Sequence, residues 1–212
     1  MFAACKESGD LMISGRLSNL NIINATADTL NVYQNGARLN NTSTIGPGSQ
    51  TGYTSITANS TSFEVKKSGQ ANYLIGSFPA TLDTNHYYSL FIAGETADKL
   101  FITNDATPVD STSSANIRFV NASPSSTNVD VTIDKLSFSN LAFKAATAFR
   151  YDPVSLTVAD TATVVVYPHG TTTTPIASGK IPISVNTNYT IYLQGVVGGT
   201  GNNAPTLKAN IN

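Results

Sequence analysis

"LNIINATADTLNVYQNG", Leu20 to Gly36, and "IRFVNASPSSTNVDVTIDK", Ile117 to Lys135, are two versions of one pattern, and their kinship decides the fold. Asn24-Ala25 of the first falls on Asn121-Ala122 of the second. A second pair of stretches repeats farther along, "GSFPATLDTNHYYSLFIAG" (Gly76 to Gly94) and "GKIPISVNTNYTIYLQG" (Gly179 to Gly195). There Gly76, Pro79, Tyr88 and Gly94 fall on Gly179, Pro182, Tyr189 and Gly195, so the offset drifts only from 97 residues (24 to 121) to 103 (76 to 179). Two blocks in the same order at nearly one offset indicate duplication of a whole domain.

Each copy is written in strands. Val129, Val131 and Ile133 share one face of "NVDVTIDK" while Asp130, Thr132 and Asp134 share the other, a period of two. Leu30 and Val32 alternate in the same way before Asn35-Gly36, a tight-turn pair. Leu90 with Ile92, and Ile191 with Leu193, face inward in the two tyrosine-led stretches. The β-branched run "ATVVVYP" predicts a strand buried on both faces. Only "LAFKAATAF" leans toward helix. The expected fold is all-β, with two tandem antiparallel Ig-like β-sandwich domains of roughly seven short strands each. They are expected at residues 15–107 and 114–212, after a tether at 1–14, with the boundary in the polar "NDATPVDSTSS" of 104–114.

Composition narrows the function classes. Hydrophobic residues make up 41% of the chain, enough for packed cores, and charged residues only 12%, against roughly 25% in an average domain. Net charge is −1, and no Lys/Arg stripe supplies the electrostatic footprint of a nucleic-acid partner. No apolar run approaches the roughly 20 residues of a membrane-spanning helix. A single cysteine, Cys5, excludes an intramolecular disulfide and a Cys-rich zinc site.

Reactive constellations are equally sparse. His86 and His169 stand outside any metal-ligand spacing, and no G-x-S-x-G elbow appears. Asp130 and Asp134 lie about 13 Å apart along one strand face, too far to act as a carboxylate pair. Asp98, Asp105 and Asp110 are too dispersed in sequence to argue a calcium site. The expectation is a non-enzyme with no cofactor and no metal. Sugar platforms favour tryptophan, absent here, so Tyr53, Tyr87, Tyr151 and Tyr192, with Tyr73, are the candidate ligand-facing aromatics. Thr29, Ser111 and Thr161, in "DTL", "DST" and "DTA", are candidate O-glycosylation sites.

The second copy, "ANIRFVNASPSSTNVDVTID" followed by "NYTIYLQG", resembles the bacterial domain of unknown function 4397 family. Arg118, Asn121, Ala122, Ser123, Pro124, Val129, Asp130, Val131 and Asp134 match its first motif, and Lys135 stands where glycine is usual. In the first copy Asn24, Ala25, Val32 and Gly36 match, while Arg118 and Pro124 have no counterpart. The resemblance implies tandem Ig-like modules in secreted or lipid-anchored proteins and carries over no catalytic residue. "FAAC" resembles the end of a lipobox, which makes Cys5 the candidate lipidation site. Four residues precede it, so a full signal is expected upstream. Together these features predict an outer-membrane lipoprotein on the surface of a Gram-negative bacterium, touching the membrane only through its lipid. Its expected role is adhesion, structural spacing or protein binding. The alternative is a glycan-binding accessory of a polysaccharide-uptake system, with a surface protein or a glycan as partner.

Overall fold

A computed structural model describes residues 16–105, 114–151 and 160–212. The first copy contributes β1 (Leu17–Asn24), β2 (Leu30–Gln34), β3 (Ala37–Arg38), β4 (Thr54–Thr57), β5 (Asn59–Lys67), β6 (Ile75–Leu82), β7 (Tyr87–Ile92) and β8 (Leu100–Asp105). The second repeats them in order as β9 (Asn116–Asn121), β10 (Val129–Ile133), β11 (Leu136–Leu141), β12 (Arg150–Tyr151), β13 (Asp160–Pro168), β14 (Ala177–Ile183), β15 (Asn188–Gln194) and β16 (Thr206–Ile211). Four sheets result: β4-β1-β7-β8 and β3-β2-β5-β6 in the first copy, β12-β9-β15-β16 and β11-β10-β13-β14 in the second. The two copies are thus β-sandwiches of matching strand order, as the repeat predicts.

One pair in each sandwich departs from the antiparallel expectation. β1 runs parallel to β7, with Leu20 opposite Tyr88, and β9 runs parallel to β15, with Phe119 opposite Ile191. Between the paired strands the chain visits the facing sheet and returns, the crossover that parallel neighbours require. The turn after β2 follows its sequence signal: Asn35 and Gly36 both take positive φ, 49° and 81°, a conformation that Asn and Gly tolerate best.

Three local expectations are corrected. β13 is not buried on both faces, because Ala162, Val164 and Val166 enter the core while Thr161 and Thr163 are exposed. Its β-branched run reflects strand propensity on a solvent face. "LAFKAATAF" forms no helix; after Leu141 it continues as turns and an isolated bridge from Ala146 to Val120. Asn104 and Asp105, read as linker, are the last residues of β8.

Each sandwich has its own core. Leu20, Leu30, Val32, Phe63, Val65 and Leu90 lie in the first, and Phe119, Val129, Val131, Val164, Val166 and Ile191 in the second. A third buried cluster joins them: Ile23, Ala25, Phe91, Ala93 and Phe101 from one sandwich, Val120, Ala122 and Tyr192 from the other. These residues sit on the second face of the β1/β7 and β9/β15 sheets, so those two sheets are inner layers and the molecule is a four-layer stack. This is why β9 and β15 are buried at every position. Aromatic geometry is specific at the join, with Phe91 stacked on Phe101 at 4.8 Å and edge-on to Tyr192 at 5.4 Å.

Candidate functional site

The inner sheets bury polar residues beside that aromatic cluster. Arg118 and Asp105, 4% and 0% exposed, form an ion pair between the sandwiches. Arg118 Nε donates to Thr190 Oγ1 (2.8 Å) and its Nη1 to the Asn104 carbonyl (2.8 Å). Asp105 also accepts from Tyr53 Oη (2.5 Å), Ser89 Oγ (2.6 Å) and Thr103 Oγ1 (2.9 Å). Burial, then the charge of Asp105, pushes the Tyr53 hydroxyl well above the ordinary tyrosine range. A cation and an anion that satisfy each other inside a protein hold an orientation and leave no reactive group free. The arrangement is a clasp.

Strand-closing amides fix the loops at one end of each sandwich. Asn24 Nδ2 donates to the carbonyls of Asp28 (2.7 Å), Ile45 (3.0 Å) and Gly46 (2.9 Å), while its Oδ1 accepts from the Thr26 N–H (3.0 Å). Asn121 Oδ1 accepts likewise from the Ser123 N–H (3.1 Å), which makes Asn-Ala-Ser an Asx turn. A cleft of about 460 Å³ opens between these loop ends, floored by Ala25 and Ala93 and rimmed by Asp28, Glu95, Lys99 and Val196. Its carboxylates are already engaged, since Lys67 Nζ lies 2.8 Å from Glu95 and 2.9 Å from Asp28. Hydrogen bonds from Lys67 to Glu95, then Asp28, raise the pKa of the ammonium.

Asp130 organises a turn cluster on the outer sheet of the second sandwich. It accepts from the N–H groups of Asn140 (2.8 Å) and Gly170 (2.9 Å), from Ser139 Oγ (2.8 Å), and lies 2.8 Å from His169 Nδ1. The backbone donors, Gly170 first and Asn140 second, hold its carboxyl well below the usual carboxylate range. Serine, aspartate and histidine meet here, but Ser139 donates to the carboxylate and not to the imidazole. The relay of a hydrolase is therefore not assembled.

The outer sheet of the first sandwich carries a different surface. Asn31, Tyr33, Arg38, Glu64 and Lys66 point outward from β2, β3 and β5, with Tyr33 opposite both Arg38 and Glu64, and Asn31 opposite Lys66. Tyr73, 45% exposed, rises beside them from the β5–β6 connection. Its ring meets Tyr33 edge-on at 5.9 Å, and Lys66 Nζ lies 4.3 Å and 5.3 Å from the Tyr73 and Tyr33 centroids. Alternation explains the set, because Leu30, Val32, Phe63 and Val65 take the inner face of the same strands. Paired rings flanked by planar polar side chains can offer both an apolar face and directed hydrogen bonds to one ligand.

The sequence-chosen aromatics are distributed otherwise. Tyr192 is 1% exposed within the inter-sandwich cluster, so its selection as ligand-facing is corrected: the second face of its strand is covered by the other copy. Tyr53 is half-buried, edge-on to Tyr87 at 5.2 Å, with its hydroxyl committed to Asp105. Tyr151 is 53% exposed on the two-residue β12 and meets no other ring among the described residues. Thr29 is half-buried before β2, and Thr161 is exposed on β13. Cys5 and Ser111 lie outside the described residues. His86 is exposed, its Nδ1 3.0 Å from the Thr84 carbonyl. Tyr33 was missed; its outward position in "LNVYQ" was the available signal.

Fold and surface together define a class: a fused pair of β-sandwich modules, clasped through equivalent sheets, with loop ends and outer sheet faces open to partners. The chain belongs to the family "Domain of unknown function (DUF4397)", whose model matches residues 18–115 and again 115–209. No curated protein matches it. Among solved structures it is similar to CBMbc, a family CBM26 module from Eubacterium rectale Amy13K in complex with maltoheptaose. That likeness has 12% identity and a TM-score of 0.26, and covers 92% of this chain and 96% of that one. It is also similar to a structure described as alpha-glucan recognition by family 41 carbohydrate-binding modules from streptococcal virulence factors, at 10% identity and a TM-score of 0.29, covering 91% and 97%. Likeness at that level does not extend to a ligand.

Proposed function

We propose that the protein is a non-catalytic, cell-surface binding module that holds saccharide on the outer sheet of its first sandwich. The observation that carries this reading is the pair of exposed Tyr73 and half-buried Tyr33, set edge to face at 5.9 Å among Asn31, Arg38, Glu64 and Lys66. The C–H face of a sugar ring packs on an aromatic ring, and its hydroxyls pair with amide, carboxylate and cationic side chains around the rim. A four-layer body with that platform on an outermost layer suits an adhesive or accessory role at a surface. Lipid attachment at Cys5 and an outer-membrane address belong to the same proposal, and an unmodified Cys5 in membrane-fraction protein would remove them.

The test is a glycan array probed with the full chain, followed by calorimetry on each hit. Tyr73→Ala and Tyr33→Ala are each expected to weaken binding about tenfold or more, since one lost stacking contact of ~1.4 kcal/mol is a factor of ten. An empty array, or variants that bind as the parent does, would overturn the reading.

A further inference from the structure

Resting on that reading, we propose that the saccharide taken by the Tyr33–Tyr73 platform is anionic, a uronate-bearing glycan whose carboxylate docks on Arg38. The argument begins with how Arg38 is held. Its Nη2 donates to Asn31 Oδ1 at 2.6 Å, and the same oxygen accepts from Asn40 Nδ2 at 3.1 Å. Asn40 is itself fixed, with its Oδ1 accepting from the Val32 N–H (2.9 Å) and its Nδ2 donating to the Ser43 carbonyl (2.7 Å). A chain of neutral amides thus orients the guanidinium and does nothing to neutralise it.

Charge on this face is unbalanced in the same sense. Among the described residues Arg38 and Lys66 form no ion pair, whereas Lys67 and Lys99 each do. Glu64 is the single carboxylate in the set, and it accepts from the Gly36 N–H at 3.3 Å. Arg38 Nε is buried, so a ligand meets the guanidinium at its Nη edge, where Nη2 donates to Asn31 and Nη1 makes no hydrogen bond among the described residues. A planar carboxylate matches the guanidinium fork with two parallel hydrogen bonds, which a hydroxyl cannot do. Tyr33 stands directly opposite Arg38 across β2 and β3, so a sugar ring on the tyrosine brings its own carboxylate toward the guanidinium. Lys66 Nζ lies over one face of both rings and supplies a second positive charge beside the ring faces left to a sugar.

The experiment titrates the full chain with oligogalacturonate and, in parallel, with a neutral gluco-oligosaccharide of equal length. The expected result is binding of the uronate alone, weakened by raising NaCl from 0.05 to 0.5 M. Binding should fall about tenfold or more in Arg38→Gln, with only partial recovery in Arg38→Lys, which keeps the charge but not the fork. Thermal melts confirm that each variant is folded. Equal or better binding of the neutral sugar, unaffected by Arg38→Gln, overturns the uronate assignment and leaves the platform reading standing. Uronate binding that persists in Tyr33→Ala and Tyr73→Ala is attraction to charge alone and overturns it too. No binding of either sugar, with an empty array, removes both.

Discussion

Replacing Arg118 with alanine leaves Asp105 buried and charged between the sandwiches, with no cation facing it. Removing one member of a buried pair costs about 3–5 kcal/mol. The low end applies here, about 3 kcal/mol, because hydroxyls of Tyr53, Ser89 and Thr103 still donate to the carboxylate. The double variant Arg118→Met with Asp105→Asn removes the charge together with its partner, and it is expected to lie within about 1.5 kcal/mol of the parent. Urea denaturation at pH 7 by far-UV circular dichroism and tyrosine fluorescence measures all three, the chain having no tryptophan to obscure the signal. The clasp is 4% and 0% exposed, so the cost in Arg118→Ala should be similar at low and high salt. A cost below about 1 kcal/mol, a double variant no better than the single one, or a loss that salt abolishes would refute the reasoning.

Phe91→Ala removes the ring stacked on Phe101 and edge-on to Tyr192, and it is expected to cost about 3–5 kcal/mol. Calorimetry should then resolve two transitions as the sandwiches uncouple, and a single unshifted transition would contradict the third core. Asn24→Ala removes the side-chain donor of the Asp28 carbonyl and the second donor of the Ile45 and Gly46 carbonyls, which keep the N–H groups of Leu30 and Ser49, at about 1–2 kcal/mol, with faster amide exchange around Ile45 as the local readout. Asp130→Ala is expected to cost about 1–2 kcal/mol at pH 7. Because the folded carboxyl titrates below its unfolded value of about 4, that stability is present above pH 4 and is lost as pH falls through the folded value. The gap between parent and variant should therefore narrow in acid, and a gap that widened would place the stabilisation elsewhere.

Period-two alternation revealed the strands because each outer sheet has one wet face, as in Val129, Val131 and Ile133. The same logic failed on the inner sheets. Reading "YSLFIAG" as Leu90 and Ile92 inward left Phe91 unexplained, and an aromatic on the nominal solvent face was the sign of a second buried surface. Arg118 was legible as a motif position and illegible as a clasp, because its partner Asp105 sits 13 residues away on a neighbouring module and pairs only after both sandwiches fold. Tyr192 was misassigned for the same reason: strand position fixes the face a side chain takes, and only packing between modules says whether that face meets water. Tyr73 and Tyr33 come together across a chain connection, so no spacing rule points to the pair.

The duplication itself explains why a seam of matched apolar residues carries a single, asymmetric ion pair. Ile23 with Val120, Ala25 with Ala122 and Phe91 with Tyr192 are equivalent positions of the two repeats, and they meet in one cluster, as in an isologous contact between identical subunits. In such a contact residue i meets residue j and j meets i, so a charge carried by one repeat would be carried twice. Arg118 in both repeats would set two cations beside the same buried surface, a desolvated repulsion. In the chain as it stands, Asn21 occupies the position equivalent to Arg118, and Asp105 occupies the one equivalent to Asn212. The symmetric hydroxyl contacts persist, Ser89 to Asp105 at 2.6 Å and Thr190 to Asn212 at 2.8 Å, while the charge appears once with each sign. Two identical copies cannot hold that arrangement, whereas two divergent ones can. Restoring symmetry with Asn21→Arg should therefore lower the urea midpoint of the fused protein even though it installs the residue that the better-matching copy carries, and an unchanged or higher midpoint would refute the repulsion argument.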